Sequence, residues 1–262
     1  MGREKGSIIY PVYSRRSCGL SIGINLFPEN KVCNFDCPYC EVFPFENKTC
    51  FTLDQMEEDL HSIIHYYLKN NIEVKDICFS GNGEPTLSVH FKEALEKALL
   101  IRDMLIPQIP LVLITNATGL LSSETFDVLA EKADKGLDIW LKIDAGTEEW
   151  FRKINFMENR QIVPIDFSQL IESIKKFAAA SSFIIQTMIC KIDGHYPSPI
   201  EEQAWIKLVK DLALYNNVKA IQIYGKARQS PHDNLAEAAD ISVLEKRKEN
   251  LALHNIPVDI FE

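Results

Sequence analysis

No apolar run in this chain approaches the roughly 18 consecutive positions that a membrane helix needs, so no membrane partner is expected. Positive charge is in short supply. Lys and Arg number 28 against 37 Asp and Glu, for a net charge of −9. That balance favours solubility and not a broad grip on nucleic acid, whose phosphates call for clustered cations. Arg15–Arg16, Lys226–Arg228 and Lys246–Lys248 are the local basic runs, each short enough to be a solvated surface. Met1 to Ser7 lacks the apolar core of a signal peptide, and Gly2 opens no acylation signal, because position 6 is Gly where Ser or Thr is needed. The expected compartment is therefore the cytoplasm. Internal repeats, low-complexity stretches and long linkers are also missing. A single domain over 1–262 is expected, with 1–19 and 226–262 as N- and C-terminal extensions.

What the sequence does contain is alternation. Short, nearly continuous apolar runs predict strands at Ser21–Leu26, Asp76–Ser80, Leu111–Thr115, Asp138–Asp144, Phe183–Cys190 and Lys219–Tyr224. Strands buried on both faces read this way. Segments of helical period separate them near 53–69, 88–105, 122–133, 166–180 and 200–215. In the first, Thr52 and Gln55 suggest a capping box, and Met56, Leu60, Ile63, Ile64 and Tyr67 share a face. In the fourth, Phe167, Leu170, Ile171, Ile174 and Phe177 do the same. Both stripes are core surfaces and not sites. Strand–helix alternation implies a parallel sheet with right-handed crossovers. Six strands are too few for a closed eightfold barrel, so the fold predicted is α/β, an open partial (β/α)6 TIM-like barrel, with a doubly wound sheet as the alternative. A helix near 241–254 and a short strand at Val258–Phe261 would complete or edge the sheet.

Seven cysteines are present, three of them within eight residues: Cys33, Cys37 and Cys40. A chain that is neither short nor visibly secreted gives no reason to expect a disulfide framework. The triplet follows the first predicted strand, and loops leaving the carboxyl ends of parallel strands form active sites. Three soft sulfurs at these spacings suit one iron–sulfur cube with one iron left open for a ligand. A structural zinc site would need a closed fourth ligand, from Cys18, Cys50 or a distant histidine. Cys190, inside a predicted strand, reads as a small core residue.

Three further loops follow strands. Ser80-Gly81-Asn82-Gly83-Glu84-Pro85-Thr86 is small enough for close backbone approach to a ligand, and Glu84 can accept hydrogen bonds from an ammonium group. Thr115–Asn116 ends the third strand, and Lys142 and Asp144 end the fourth, where polar strand ends are candidates for ligand contact. Gln186 and Gln222 sit inside the fifth and sixth strands, and a buried amide needs partners. They serve either a core network or a cavity.

Cys33-x3-Cys37-x-Tyr39-Cys40 resembles the motif of the radical S-adenosylmethionine (SAM) superfamily. The resemblance implies that Cys33, Cys37 and Cys40 ligate a [4Fe–4S] cluster, whose open iron binds the amino and carboxylate groups of SAM. One electron then cleaves SAM to a 5′-deoxyadenosyl radical that abstracts hydrogen from a substrate. It also implies an external electron donor of flavodoxin or ferredoxin type. Tyr39 would pack beside the adenine. Gly81, Asn82, Gly83 and Glu84 are similar to the family's Gly-Gly-Glu segment for the methionine amino group, with Asn82 departing from Gly. Asn116, Lys142 and Asp144 stand where the family meets ribose hydroxyls and the methionine carboxylate.

Residues 11–26, 81–87 and 221–228 further resemble small stand-alone members related to wyosine-type transfer-RNA synthases. Those synthases carry a second cluster on three upstream cysteines, of which this chain has only Cys18. The substrate expected is a small molecule or nucleoside. The alternatives are a radical activase acting on a partner's protein loop, transfer-RNA base modification, or a non-catalytic iron–sulfur or zinc module.

Overall fold

A computed structural model describes residues 6–156, 165–253 and 255–262. Gly2 and most of Met1–Ser7 lie outside the described residues, as does the last predicted position, 254, of the C-terminal helix. The chain divides into two compact units.

The first unit comprises Met1–Cys33, Pro44–Thr115 and Glu131–Ile139. It contains β1 (Ile9–Ser14), β2 (Gly19–Ile24), β3 (Val74–Phe79), β4 (Leu111–Thr115) and the start of β5 (Leu137–Lys142). β1 runs antiparallel to β2, whereas β2–β3 and β3–β4 are parallel. Helices α1 (Leu53–Lys69) and α2 (Phe91–Leu105) make the crossovers. Met56, Leu60, Ile64 and Tyr67 of α1 are buried, as their spacing requires, while Ile63 is half-buried. Each fully buried aliphatic side chain of this kind contributes roughly 1.5–3 kcal/mol. Only half of the expected capping box is made. Thr52 Oγ1 accepts from Gln55 N at 3.2 Å, but the Gln55 amide turns away to Asp59 at 2.9 Å.

The second unit comprises Asn34–Phe43, Asn116–Ala130 and Trp140–Glu262. Here the end of β5 pairs in parallel with β6 (Phe183–Ile192), β6 with β7 (Val218–Gly225), and β7 with β9 (Val258–Phe261). A short β8 (Ala236–Ala238) pairs antiparallel with β6. α3 (Ser123–Asp134) starts in this unit. α4 (Glu148–Asn155), α5 (Phe167–Ala180), α6 (Pro199–Ala213) and α7 (Ile241–Leu251) follow in turn. Leu170, Ile174 and Phe177 of α5 are buried.

The strands stack in strictly sequential order from β2 through β7. A doubly wound sheet would reverse that order at a switch point, so the α/β partial-barrel class is the one adopted, with β1 and β9 as its edge strands. Predicted and observed boundaries agree within about three residues. Three elements went unpredicted, the short β8 among them. β1 lies in the segment read as an N-terminal extension, and α4 follows Asp144.

Candidate active site

The cysteine loop is delivered by β2. From Asn25 the chain runs to Val32, whose N–H donates to Asn82 O at 3.0 Å and whose carbonyl accepts from Glu84 N at 2.9 Å. A parallel bridge thus joins Val32 to Gly83. A Cβ on residue 83 would lie 1.7 Å from Val32 O, so this approach requires glycine. Gly81 needs its freedom for another reason, a φ of 135°. Asn82, the departure from glycine, is buried and donates from Nδ2 to Phe27 O at 3.0 Å. Its own N–H is received by Asn25 Oδ1 at 3.1 Å. Asn25 is fully buried and escaped the sequence reading, although a polar residue finishing an apolar strand was the available signal.

Glu84 is 3% exposed and caps a 3-10 turn at Pro85–Leu87. Its Oε1 accepts from Thr86 N at 3.2 Å, Thr86 Oγ1 at 2.7 Å and Thr115 Oγ1 at 2.6 Å. Three donors on one oxygen fix the carboxylate's direction before any ligand arrives.

In the second unit Tyr39, Lys142 and Asp144 come together. Tyr39 Oη donates to Asp144 Oδ2, and Lys142 Nζ lies 3.3 Å from the same oxygen. Lys142 also sits over the rings of Tyr39, at 4.6 Å, and Tyr224, at 5.2 Å. Asp144 Oδ1 is held by Met188 N at 2.8 Å. Burial works against the Lys142 charge, but Asp144, Tyr224 and Cys37 outweigh it and hold the ammonium above lysine's usual range. Burial and the neighbouring Asp144 likewise raise Tyr39, so its hydroxyl stays protonated.

Asn155, at the end of α4, links this group to the cysteines. Its Nδ2 donates to Cys37 Sγ at 3.5 Å and Asp144 Oδ2 at 3.4 Å, and its carbonyl accepts from Asp36 N at 2.9 Å. Asn155 and Tyr224 were not predicted. Tyr224 ends the predicted strand Lys219–Tyr224 and was open to the rule that singled out Lys142; Asn155, 118 positions from Cys37, left no local signal. Asn116 donates to Asn34 Oδ1 at 2.8 Å and accepts from Thr118 N at 3.0 Å.

All seven cysteines are free thiols, with Cys33, Cys37 and Cys40 half-buried and Cys18 and Cys50 exposed. Among the described residues no three His, Cys, Asp or Glu side chains form a ready single-ion site. An iron–sulfur cube takes each thiolate on a different iron and does not ask them to converge on one point. Burial pushes the Cys37 thiol up to about 11, opposed by Lys142. A bound iron would take the place of that proton, with Cys37 as its thiolate ligand. Cys37 and Cys40, joined by the bond from Cys40 N to Cys37 O at 2.9 Å, with a cation and an amide donor beside Cys37, are a donor set that suits iron–sulfur ligation. Cys190 is buried, as a core residue should be.

Comparison with known proteins gives the family. Residues 30–204 match the Radical SAM superfamily model. A protein named GTPase Obg from Brachyspira hyodysenteriae is 31% identical over 169 residues, 64% of this chain and 22% of that one. A UPF0026 protein of Methanocaldococcus jannaschii is 34% identical over 157 residues, 55% of this chain and 42% of the other. The chain thus spans about a fifth to two fifths of the length of these relatives. A radical SAM methyltransferase from Sphaerobacter thermophilus superposes with a TM-score of 0.63 at 11% identity, covering 92% of this chain and 66% of that one. SuiB of Streptococcus suis, bound to S-adenosylmethionine, gives 0.61 at 15%, covering 88% and 48%. Likeness at such identities shows the fold. No helix among the described residues is long and apolar enough to cross a membrane. The family match runs from ahead of Cys33 to beyond Asp144, and the chain belongs to the radical SAM superfamily, whose enzymes work with an iron–sulfur cluster and S-adenosylmethionine.

Proposed function

We propose that this chain is a radical SAM enzyme in which Cys33, Cys37 and Cys40 hold the [4Fe–4S] cluster. Tyr39, Gly81–Glu84, Asn116, Lys142 and Asp144 would meet S-adenosylmethionine, and the substrate is a small molecule or nucleoside. When bound, the two cofactors supply a 5′-deoxyadenosyl radical that removes hydrogen from the substrate. The protein's own share is binding and orientation. Glu84, fixed by Thr86 and Thr115, presents a carboxylate to an ammonium group. Lys142 stays charged to meet a carboxylate, and Asp144 is aimed by Tyr39, Asn155 and Met188 N. An external one-electron donor, of flavodoxin or ferredoxin type, completes the requirement.

The observation that carries this reading is the backbone bridge between Val32, next to Cys33, and Gly83, next to Glu84. Two motifs about 50 residues apart in sequence are stitched together, as a shared ligand demands. The small-substrate preference is supported by charge. In the basic run Lys226–Arg228, Lys226 is paired with Asp233 at 2.6 Å and Arg228 with Glu41 at 3.0 Å. Salt-sensitive, submicromolar binding to bulk transfer RNA, lost on replacing Arg15 and Arg228 with Ala, would reverse that preference.

The test uses anaerobically reconstituted protein with dithionite. S-adenosylmethionine is expected to perturb the cluster spectrum and to yield 5′-deoxyadenosine; a cluster that leaves the cofactor uncleaved would instead mark a non-catalytic module. Glu84→Ala is expected to keep its iron and to bind the cofactor roughly 10- to 100-fold more weakly, the worth of one hydrogen bond to a charged group. Unchanged affinity in a spectral titration would remove Glu84 from the site.

A further inference from the structure

Four strands of the second unit carry a polar row. Lys142 of β5 is in register with Gln186 of β6, Gln186 with Gln222 of β7, and Gln222 with Asp259 of β9. In-register residues of parallel neighbours project from one face, with strands about 4.8 Å apart. Gln186 is fully buried and Gln222 is 6% exposed. Gln186 Nε2 donates to Gln222 Oε1 at 2.6 Å, which fixes the plane of the second amide. Gln222 thus has its carbonyl engaged by Gln186, and its NH2 is the end of the amide left to donate. Asp259, its exposed neighbour in the row, brings a carboxylate acceptor with no partner among the described residues.

We propose that Gln222 and Asp259 recognise the lactam edge of the substrate, a ring carbonyl beside a ring N–H. Gln222 donates to the carbonyl, Asp259 accepts from the N–H, and Gln186 is a positioning residue that sets the amide's direction. A planar lactam presents both groups side by side, as the row presents donor and acceptor. An anion is disfavoured here. Asp259 repels it, and the one cation of the row, Lys142, which pairs with Asp144 at 3.3 Å, is the group proposed to meet the cofactor's carboxylate. The ligand contemplated is thus a neutral nucleobase or related lactam. This deepens the proposed function by naming its substrate class, and rests on it only in taking the ligand as the substrate.

Saturation-transfer NMR on the intact chain, with millimolar uridine and 3-methyluridine as probes, tests it without turnover. Uridine is expected to bind and 3-methyluridine, whose ring N–H is blocked, to bind roughly tenfold more weakly. Gln222→Leu and Asp259→Ala are each expected to weaken uridine about three- to tenfold, the worth of one neutral or partly exposed hydrogen bond. Asp259 lies on the exposed edge strand, so its variant reads out even where Gln222→Leu fails to fold. No uridine binding, equal binding of the two probes, or unchanged binding in Asp259→Ala overturns the proposal. So does loss of the S-adenosylmethionine spectral response in folded Gln222→Leu, which would give the amide pair to the cofactor. A wild-type protein that forms no 5′-deoxyadenosine yet discriminates the probes would sink the radical reading and leave the lactam site standing.

Discussion

Replacing any one of Cys33, Cys37 and Cys40 with Ala is expected to take iron from about four per chain in the reconstituted wild type to near zero. Formation of 5′-deoxyadenosine should fall to background in the same three variants. The size of the effect follows from the donor count. A cube already left with one open iron has no thiolate to spare, and each ligand sits on a different corner. The remaining thiols offer poor substitutes. Cys18 and Cys50 are exposed, whereas Cys78 and Cys190 are buried, with burial pushing both thiols up to about 12. Cys190→Ala is the matched control, expected to keep its iron and to lose only the packing of a small core residue. Iron analysis and the cluster's visible absorption, both after anaerobic handling, read the outcome. One zinc and no iron in the wild type, or full iron in a Cys37→Ala protein, would end the cluster assignment.

Much of this architecture can be read from composition and period, and the failures have physical causes. Buried strands such as Leu111–Thr115 announce themselves as apolar runs, because both faces must be dry; β3, predicted at Asp76–Ser80, begins two residues earlier, at Val74, where Lys75 breaks the run. β1 does not, since Pro11 interrupts it and its outer positions are wet. It is an edge strand, where a missing N–H does no harm. α4 spans only eight residues, too short for a stripe to repeat, although Thr147 caps it and Trp150, Phe151 and Ile154 are buried. The site divides the same way. Cys33, Glu84, Lys142 and Asp144 follow apolar strands and can be found by that rule. Asn155 reaches Cys37 and Asp144 from a helix end, and only the folded chain brings it there. Asn82 looked like a blemish in a glycine motif; its amide instead ties the loop to Phe27.

Gly83→Ala is the second large effect expected, and it separates a steric demand from a conformational one. A methyl group at this position meets Val32 O at 1.7 Å, Val32 C at 2.6 Å and Phe27 Cδ2 at 3.1 Å. The nearest obstacle is backbone and cannot rotate away. Relief requires Val32 to withdraw, which breaks the bonds from Val32 N to Asn82 O and from Glu84 N to Val32 O. The cost expected is about 3 kcal/mol, the upper range for forcing extra volume into a closed contact. Cofactor affinity should fall with it, because Glu84 loses the strand that holds its backbone. Gly194→Ala provides the contrast. Gly194 has a φ of 73°, and nothing lies within 4 Å of an added Cβ. Its substitution carries only the left-handed penalty of about 1–2 kcal/mol and should leave cofactor binding alone. Denaturant unfolding gives the stabilities, and a spectral titration with S-adenosylmethionine gives the affinities. Equal losses of stability in the two variants, or undiminished cofactor binding by Gly83→Ala, would mean that the Val32–Gly83 bridge does not build the site.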